Sequence, residues 1–406
     1  MEDNNELSGI KVLGFILGTE LLGSERGNIE ALRALQSKGA EIVVAICNRT
    51  PNGGDVGDMC RTLGFITVEI PYGSHFSAQW MINDKRYAWR QIKRLFTNSW
   101  KVHRIIVRHK PHLMIIGNTL AYAFIALALT WHRHPLVFRV GDAPNTKSRF
   151  QLSLWKTLAR RANAIVCISD FIKEQITDLV SLQKNVHVIR NIAPVRTDSL
   201  TAETIERVRG HKCFNQGVYI GQITQQKGVP DLIDALIELN DSETGCWIIG
   251  GSEHTQELET ELKLKVSASK SQTDIQFLGY LNDPRPYISA ADWHIAPSNY
   301  EEPLGNVVQE AKALGTPSIV TPQGGLPETL SHEKTGWVLE TTGQIAIIKL
   351  LYRIATQGHG ICKEDVLKEH ERRFSQTAFE NGWYHISRST IGVHLPSERT
   401  GSTSHE

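Results

Sequence analysis

Short β-branched apolar runs alternate along the chain with longer stretches in which apolar residues recur at helical spacing. The front half carries seven such runs: KVLGFIL (11–17), EIVVAIC (41–47), GFITVEI (64–70), HLMIIG (112–117), PLVFRV (135–140), AIVCIS (164–169) and VHVIR (186–190). The series restarts in the back half with VYIG (218–221), CWIIGG (246–251), IQFLG (275–279), WHIAPS (293–298), PSIVT (317–321) and GWVLE (336–340). Strands alternating with helices predict parallel sheets covered on both faces. Apolar periodicity lapses over 192–217, so the division is placed there, giving domains at 1–195 and 196–365. A helix over 366–386 is expected to cross back to the first domain, and the polar tail 387–406 is expected to be disordered. Two doubly wound domains facing one another would bind ligands at the carboxyl ends of their strands.

One segment imitates a membrane span, LMIIGNTLAYAFIALALTW (113–131), uncharged over 19 residues. Gly117-Asn118-Thr119 interrupts it where a strand should hand over to a helix, which favours a buried strand followed by a buried helix. A length of 406 residues suits two domains. The net charge of +1 conceals an asymmetry: 25 Lys+Arg against 15 Asp+Glu over 1–195, hence +10, and 19 against 28 over the remainder, hence −9. That imbalance suggests different partners for the two halves. The six cysteines are scattered, without CxxC or a Cys/His cluster, which fits a reducing compartment without disulfides or structural zinc. The acidic, polar N-terminus lacks a signal-peptide pattern, so a cytoplasmic location is expected.

The loops after the strands carry the chemistry. LGTELLGSERGN, after the first strand, places Gly18 and Gly23 five apart, but Ser24 stands where a P-loop needs its lysine. It is not GxGxxG either. What remains is a glycine-containing turn opening a helix, able to meet an anion or a sugar hydroxyl. In YIGQITQQKGVPDLIDAL a strand ends at Gly221, and Lys227-Gly228 precedes a helix, a combination suited to phosphate. NYEEPLGNVVQEAKALGTP (299–317) sets Glu302 and Glu310 eight apart around Gly305, and PQGGLPETL repeats the glycine-before-helix arrangement. Paired carboxylates alone would also suit a glycoside hydrolase, but that reading explains neither Lys227-Gly228 nor two Rossmann-like halves.

Taken together, the E-x7-E pattern from Glu302 to Glu310, GGLPE (324–328) with TGWV beyond it, and GQITQQKG resemble the retaining, nucleotide-sugar-dependent glycosyltransferases of family 4. In the front half LLGSERGNIEALRALQSKGAEIVV and AIVCISDFIKEQI are similar to that family's first strand–loop–helix and to its segment before the domain crossover. The resemblance runs from about Lys11 to Tyr384. It implies a GT-B architecture, two Rossmann-like parallel-sheet domains facing across a cleft, with the acceptor on the N-terminal side and the nucleotide sugar on the C-terminal side. It further implies that Glu310 accepts from the ribose hydroxyls and that Glu302 lies at the reacting face of the sugar. Leu304-Gly305-Asn306 would aim backbone N–H groups at the diphosphate, with Lys227 completing the cradle, and Gly221 and Gly23 are further substrate-binding candidates. Glu328 would orient Lys227 or cap a helix. There are two departures. Where the family usually has Arg after the glycine of the KG loop, this chain has Gln222, which donates hydrogen bonds but brings no charge. Where the family commonly has His at the end of a front-domain strand, this chain reads FRVGDAP, leaving Asp142 as the candidate catalytic group.

The resemblance thus implies a sugar transferred from a nucleotide diphosphate to a glycan or lipid-linked acceptor, as in cell-surface polysaccharide assembly, with no metal cofactor. A non-catalytic nucleotide-sugar-binding module and a nucleotide-sugar 2-epimerase share the architecture. Finally, residues 85–110 hold nine Lys/Arg and no acid, with Tyr87, Trp89, Phe96 and Trp100 interleaved. Such a helix could lie on an anionic membrane surface, which would make the protein peripheral on the cytoplasmic face. The alternative is a solvated helix whose aromatics pack inward. Nothing resembling a nucleic-acid reading module accompanies it.

Overall fold

A computed structural model describes residues 6–21, 23–71, 84–179, 185–192, 200–210, 213–251 and 256–392. The chain divides by packing into two units, one of residues 1–167, 173–189 and 379–406, the other of 168–172 and 190–378.

In the first unit the described residues form a seven-stranded, wholly parallel sheet of β1 (Lys11–Phe15), β2 (Glu41–Cys47), β3 (Ile66–Ile70), β4 (Leu113–Ile116), β5 (Leu136–Val140), β6 (Ala164–Cys167) and β7 (Asn185–Val188). Its order is β3-β2-β1-β4-β5-β6-β7, so the chain reverses direction across the sheet between β1 and β4. Gly14 in β1 pairs with Val44 and Ile115. A Cβ there would meet the Leu32 side chain at 2.6 Å, so its absence lets the helix Gly23–Ser37 lie close on the sheet. The uncharged 113–131 segment is β4 followed by the helix Thr119–Trp131, whose first N–H groups, of Leu120 and Ala121, donate to the Asn118 side chain. No helix among the described residues is long and apolar enough to cross a membrane.

The second unit repeats the scheme with β8 (Asn215–Ile220), β9 (Thr244–Ile249), β10 (Asp274–Gly279), β11 (Trp293–Ala296), β12 (Ser318–Val320) and β13 (Gly336–Val338), ordered β10-β9-β8-β11-β12-β13 and again parallel. Trp293 is fully buried. It fits because Gly217 on the neighbouring strand has no Cβ, which would stand 2.1 Å from the indole. All thirteen apolar runs are strands, as the alternation predicts.

The C-terminal region differs from expectation. In place of one helix over 366–386 there are two, Lys363–Phe374 and Gln376–Ile391. The break falls at Ser375, whose backbone is extended and whose hydroxyl accepts from the N–H of Ala378, starting a second helix. Residues 387–391, placed in the tail by their polarity, continue that helix, and Ser387 is buried. The remainder of the expected tail, 393–406, lies outside the described residues.

Candidate active site

The carboxyl ends of β8, β11 and β12 lie side by side in the second sheet, and the three loops leaving them carry the motifs. The boundary between β8 and β11 is where the strand order reverses, the place at which open α/β sheets bind ligands. The β8 loop supplies Lys227. Gly228 follows it with φ 70°, and a Cβ there would lie 1.9 Å from the carbonyl oxygen of Pro297, just beyond β11. The glycine is therefore required for this loop to close onto the next strand end. Asn299 holds the two loops together: its N–H donates to the Gln226 carbonyl (2.8 Å), and its side-chain amide donates to Asp231 (2.6 Å).

Lys227 Nζ donates to Glu302 Oε1 at 2.9 Å and to the Tyr300 hydroxyl at 3.1 Å. Its ammonium also stands 5.1 Å from the centre of the Tyr300 ring. Burial alone would lower the lysine's pKa, but the Glu302 carboxylate and Tyr300 outweigh it and hold the pKa above its ordinary value. The site therefore keeps a charged ammonium. Glu302 is itself buried and accepts a second hydrogen bond, from the Ser298 hydroxyl. Below them, Tyr219 on β8 sends its hydroxyl to the Gln222 carbonyl at 2.7 Å, fixing the start of the Lys227 loop. Burial, together with Glu302 and Tyr300, raises the Tyr219 pKa, so this phenol stays protonated and serves as a strut.

Three residues after Glu302, Gly305 (φ 91°) precedes the helix Asn306–Ala313, whose N-terminus receives no side-chain cap. Leu304 is buried, so its side chain belongs to the interior and its backbone is what remains for a ligand. Asn306 and Glu310 are half-buried on the helix, Glu310 one turn further along than Asn306. The β12 loop packs on this one. The Gly325 N–H donates to the Glu302 carbonyl at 2.7 Å, and Gly324 (φ 59°) lies so near that a Cβ would stand 2.2 Å from that same oxygen. The GG of GGLPE thus shapes the loop that presents Glu302.

Of the remaining expected site residues, two lie on the same β8 loop as Lys227. Gly221 and Gln222 follow β8, and Gln222 is exposed. The Glu328 carboxylate accepts from the N–H groups of Asp170 (2.8 Å) and Phe171 (2.5 Å), and Arg190 lies 3.4 Å away, bridging to Asp170. Of the two roles open to Glu328, the observed one is to cap the helix that starts at Asp170; Lys227 takes its orientation from Glu302 and Tyr300. Gly23 and Asp142 belong to the first unit. Gly23 opens its helix, where the buried carboxylate of Glu25 already sits beside Gly18. Asp142, exposed beyond β5, lines a cavity of about 270 Å³ with Gly117, Asn118, Arg139, Gln151 and Trp155. Arg139 is fully buried and donates to Asn28 at 3.0 Å. Burial lowers its pKa to about 10, against the opposing pull of Asp142 and Glu25.

The sequence alone does not single out Tyr300, Ser298 or Arg139. The first two lie beside or inside the carboxylate stretch, and only the fold shows that their hydroxyls face Glu302 and Lys227. Arg139 sits inside an apolar strand, where a lone cation was itself conspicuous. Among the described residues no group of three or more His, Cys, Asp or Glu is placed to hold a metal ion.

Two parallel sheets of this strand order, the second with a lysine, a buried carboxylate and a helix start at its switch point, define a two-domain α/β protein of the GT-B class. Two family models match, Glycosyltransferase Family 4 over residues 22–195 and Glycosyl transferases group 1 over residues 203–379, together spanning most of the chain. The chain belongs to the group 1 glycosyl transferases. It is 31% identical over 262 residues to an alpha-maltose-1-phosphate synthase of Mycobacterium tuberculosis, covering 60% of this chain and 65% of that protein. It is 29% identical over 236 residues to the lipopolysaccharide core biosynthesis glycosyltransferase LpsE of Rhizobium meliloti, covering 55% of this chain and 63% of that one. The chain therefore spans just under two thirds of the length of these relatives. Anabaena Alr3699/HepE, solved in complex with UDP and glucose, superposes with a TM-score of 0.75 at 18% identity over 94% of this chain and 100% of that one, a likeness of fold.

Proposed function

We propose that the chain is a retaining glycosyltransferase that moves a sugar from a nucleotide diphosphate to a glycan or lipid-linked acceptor, at the cytoplasmic face of a membrane during cell-surface polysaccharide assembly. The observation that carries this reading is the Lys227–Glu302 pair, half-buried at the β8/β11 switch point, three residues before an uncapped helix N-terminus. An ammonium has three N–H donors. Two are aimed at Glu302 and Tyr300, and the third suits a phosphate oxygen. The N–H groups opening the helix Asn306–Ala313 offer a second anion contact. As the glycosidic bond breaks, negative charge grows on the departing diphosphate, and fixed donors aimed there lower the barrier. In this reading Glu302 faces the transferred sugar, Glu310 takes the ribose hydroxyls, Gly221 and Gln222 border the diphosphate, and Asp142 lies on the acceptor side. No metal is needed to supply the charge. The names of the relatives support a sugar-transfer role, and the UDP and glucose in the Anabaena protein support a nucleotide-sugar donor.

A thermal-shift screen with UDP, GDP and ADP tests the donor site: one of them is expected to stabilise the wild-type protein by several degrees and to stabilise Lys227→Met far less. Nucleotide release with acceptor present, followed by the anomeric configuration of the product, tests the reaction. Release is expected to be unaffected by a chelator and abolished in Glu302→Gln. Stabilisation by none of the three nucleotides would overturn the donor-site assignment.

A further inference from the structure

The helix Lys85–His109 buries one face and leaves a second apolar face uncovered. Tyr87, Gln91, Asn98, Val102, Ile105 and Ile106 point inward, and the helix Thr119–Trp131 packs alongside. On the outside, Trp89, Ile92, Phe96, Trp100, His103 and Val107 follow one another at steps of 3, 4, 4, 3 and 4 residues. That is 18 positions in five steps, or 3.6 per step, the helical repeat, so these side chains form a single stripe about 27 Å long. Trp89, Phe96 and Trp100 are 64%, 56% and 59% exposed. The inward packing of aromatics allowed by the sequence holds for Tyr87 and fails for these three.

The stripe continues onto the neighbouring helix. The Trp100 ring stacks on His103 with centroids 5.2 Å apart, and His103 meets the exposed Trp131 edge-on at 6.4 Å. Cations line the stripe's solvent side. Within the helix there are eight Lys/Arg and no Asp or Glu. Arg86, Lys93 and Arg104 lie about 60–80° around the helix from the stripe's centre and Arg90, Lys101 and Arg108 further round. Lys93 holds its ammonium 5.6 Å from the Trp89 ring centre, so charge and indole share one surface.

We propose that this face is a docking surface for an anionic lipid bilayer, on which the helix lies in the plane of the interface. Tryptophan bodies suit the boundary between headgroup and acyl chain, and lysine and arginine reach lipid phosphates from the flank. A protein partner would have to match an uninterrupted row of positive charge, whereas a bilayer containing phosphatidylglycerol presents the complementary sign at every point. The proposal goes beyond the transfer reaction and does not depend on the identity of the donor.

Co-sedimentation of the full chain with vesicles tests it. At 100 mM salt the protein is expected to bind phosphatidylcholine vesicles containing 30% phosphatidylglycerol at least tenfold more tightly than pure phosphatidylcholine, with a blue shift of tryptophan emission. The triple variant Trp89→Ser/Phe96→Ser/Trp100→Ser changes exposed residues only. It is expected to lose at least tenfold in vesicle affinity while keeping the thermal shift given by nucleotide. Absence of binding by the wild-type protein at 50 mM salt would overturn the proposal. So would equal binding by the triple variant, which would mean charge alone is at work, or a stripe-dependent dimer that ignores vesicles. Each of these outcomes leaves the nucleotide response, and with it the donor-site reading, separately measured.

Discussion

At the scale of single residues, the site is organised around one ammonium. Lys227 was legible in the sequence because a lysine followed by glycine before a helix is a phosphate-type arrangement, and Glu302 because it lies eight residues from Glu310. Their contact was not legible, since 75 residues separate them. Only the adjacency of β8 and β11 makes them neighbours. Tyr300 and Ser298 are not legible for a related reason: a hydroxyl becomes functional through what it faces, which chain spacing does not state. Lys227→Met removes the ammonium and leaves Glu302 with the Ser298 hydroxyl as a partner. Turnover is expected to fall by about 10²–10³, the cost of losing one fixed donor to developing negative charge. Tyr300→Phe removes an orienting contact and keeps the charge, so its loss should be about tenfold. Equal losses in the two variants, measured by nucleotide release under saturating donor, would show that the hydroxyl and not the cation does the chemistry.

At the scale of elements, the thirteen strands were readable because buried parallel strands are short, nearly continuous apolar runs. The polar segments that shape the site were less so. In GGLPE the glycines suggested an anion loop, and the structure gives them a packing role: Gly324 and Gly325 lie against the backbone of 302–304. The break between the C-terminal helices is not legible in the sequence because it depends on one side-chain cap at Ser375, with no proline or glycine to signal it. Gly324→Ala tests how far one loop shapes the other. A methyl group there meets the Glu302 carbonyl oxygen at 2.2 Å, with the backbone at φ 59°. The expected cost is roughly 2–3 kcal/mol of stability, with nucleotide affinity falling because Glu302 and Gly305 are displaced together. The denaturant midpoint and the nucleotide-induced thermal shift report the two effects. An unchanged thermal shift would mean that the β12 loop does not set the position of its neighbour.

At the scale of the whole molecule, the interior makes stability depend on pH. His294 on β11 is fully enclosed, with Nδ1 3.0 Å from the Ser318 hydroxyl, and burial lowers its pKa to about 3. His370 is lowered to about 4, by burial first and then by Lys312. In the first unit burial also lowers His132, His134 and His187. A histidine with a depressed folded-state pKa is neutral when folded and takes up a proton on unfolding below about pH 6.5. Stability is therefore present in full above that value and falls as the pH drops toward the folded-state pKa. Glu369 adds a second loss at lower pH. Burial would raise its pKa, but hydrogen bonds from Lys312 (2.6 Å), Ser331 (2.6 Å) and Thr335 prevail and bring it down to about 2. Its contribution is present above about pH 4.5 and disappears as the pH falls toward 2. Between pH 6 and 4.5 the histidines lower stability as the pH falls, each one fully responsible contributing about 1.4 kcal/mol per pH unit, while Glu30, whose pKa burial raises, opposes them. His294→Leu removes one such group from a site whose Nε2 has no hydrogen-bond partner. Denaturant unfolding of wild type and variant at intervals across that range is expected to show the variant's slope reduced by about one proton per molecule unfolded. Parallel slopes would show that His294 is already protonated when folded, and with it that the interior of the second sheet admits a charge its packing is built to exclude.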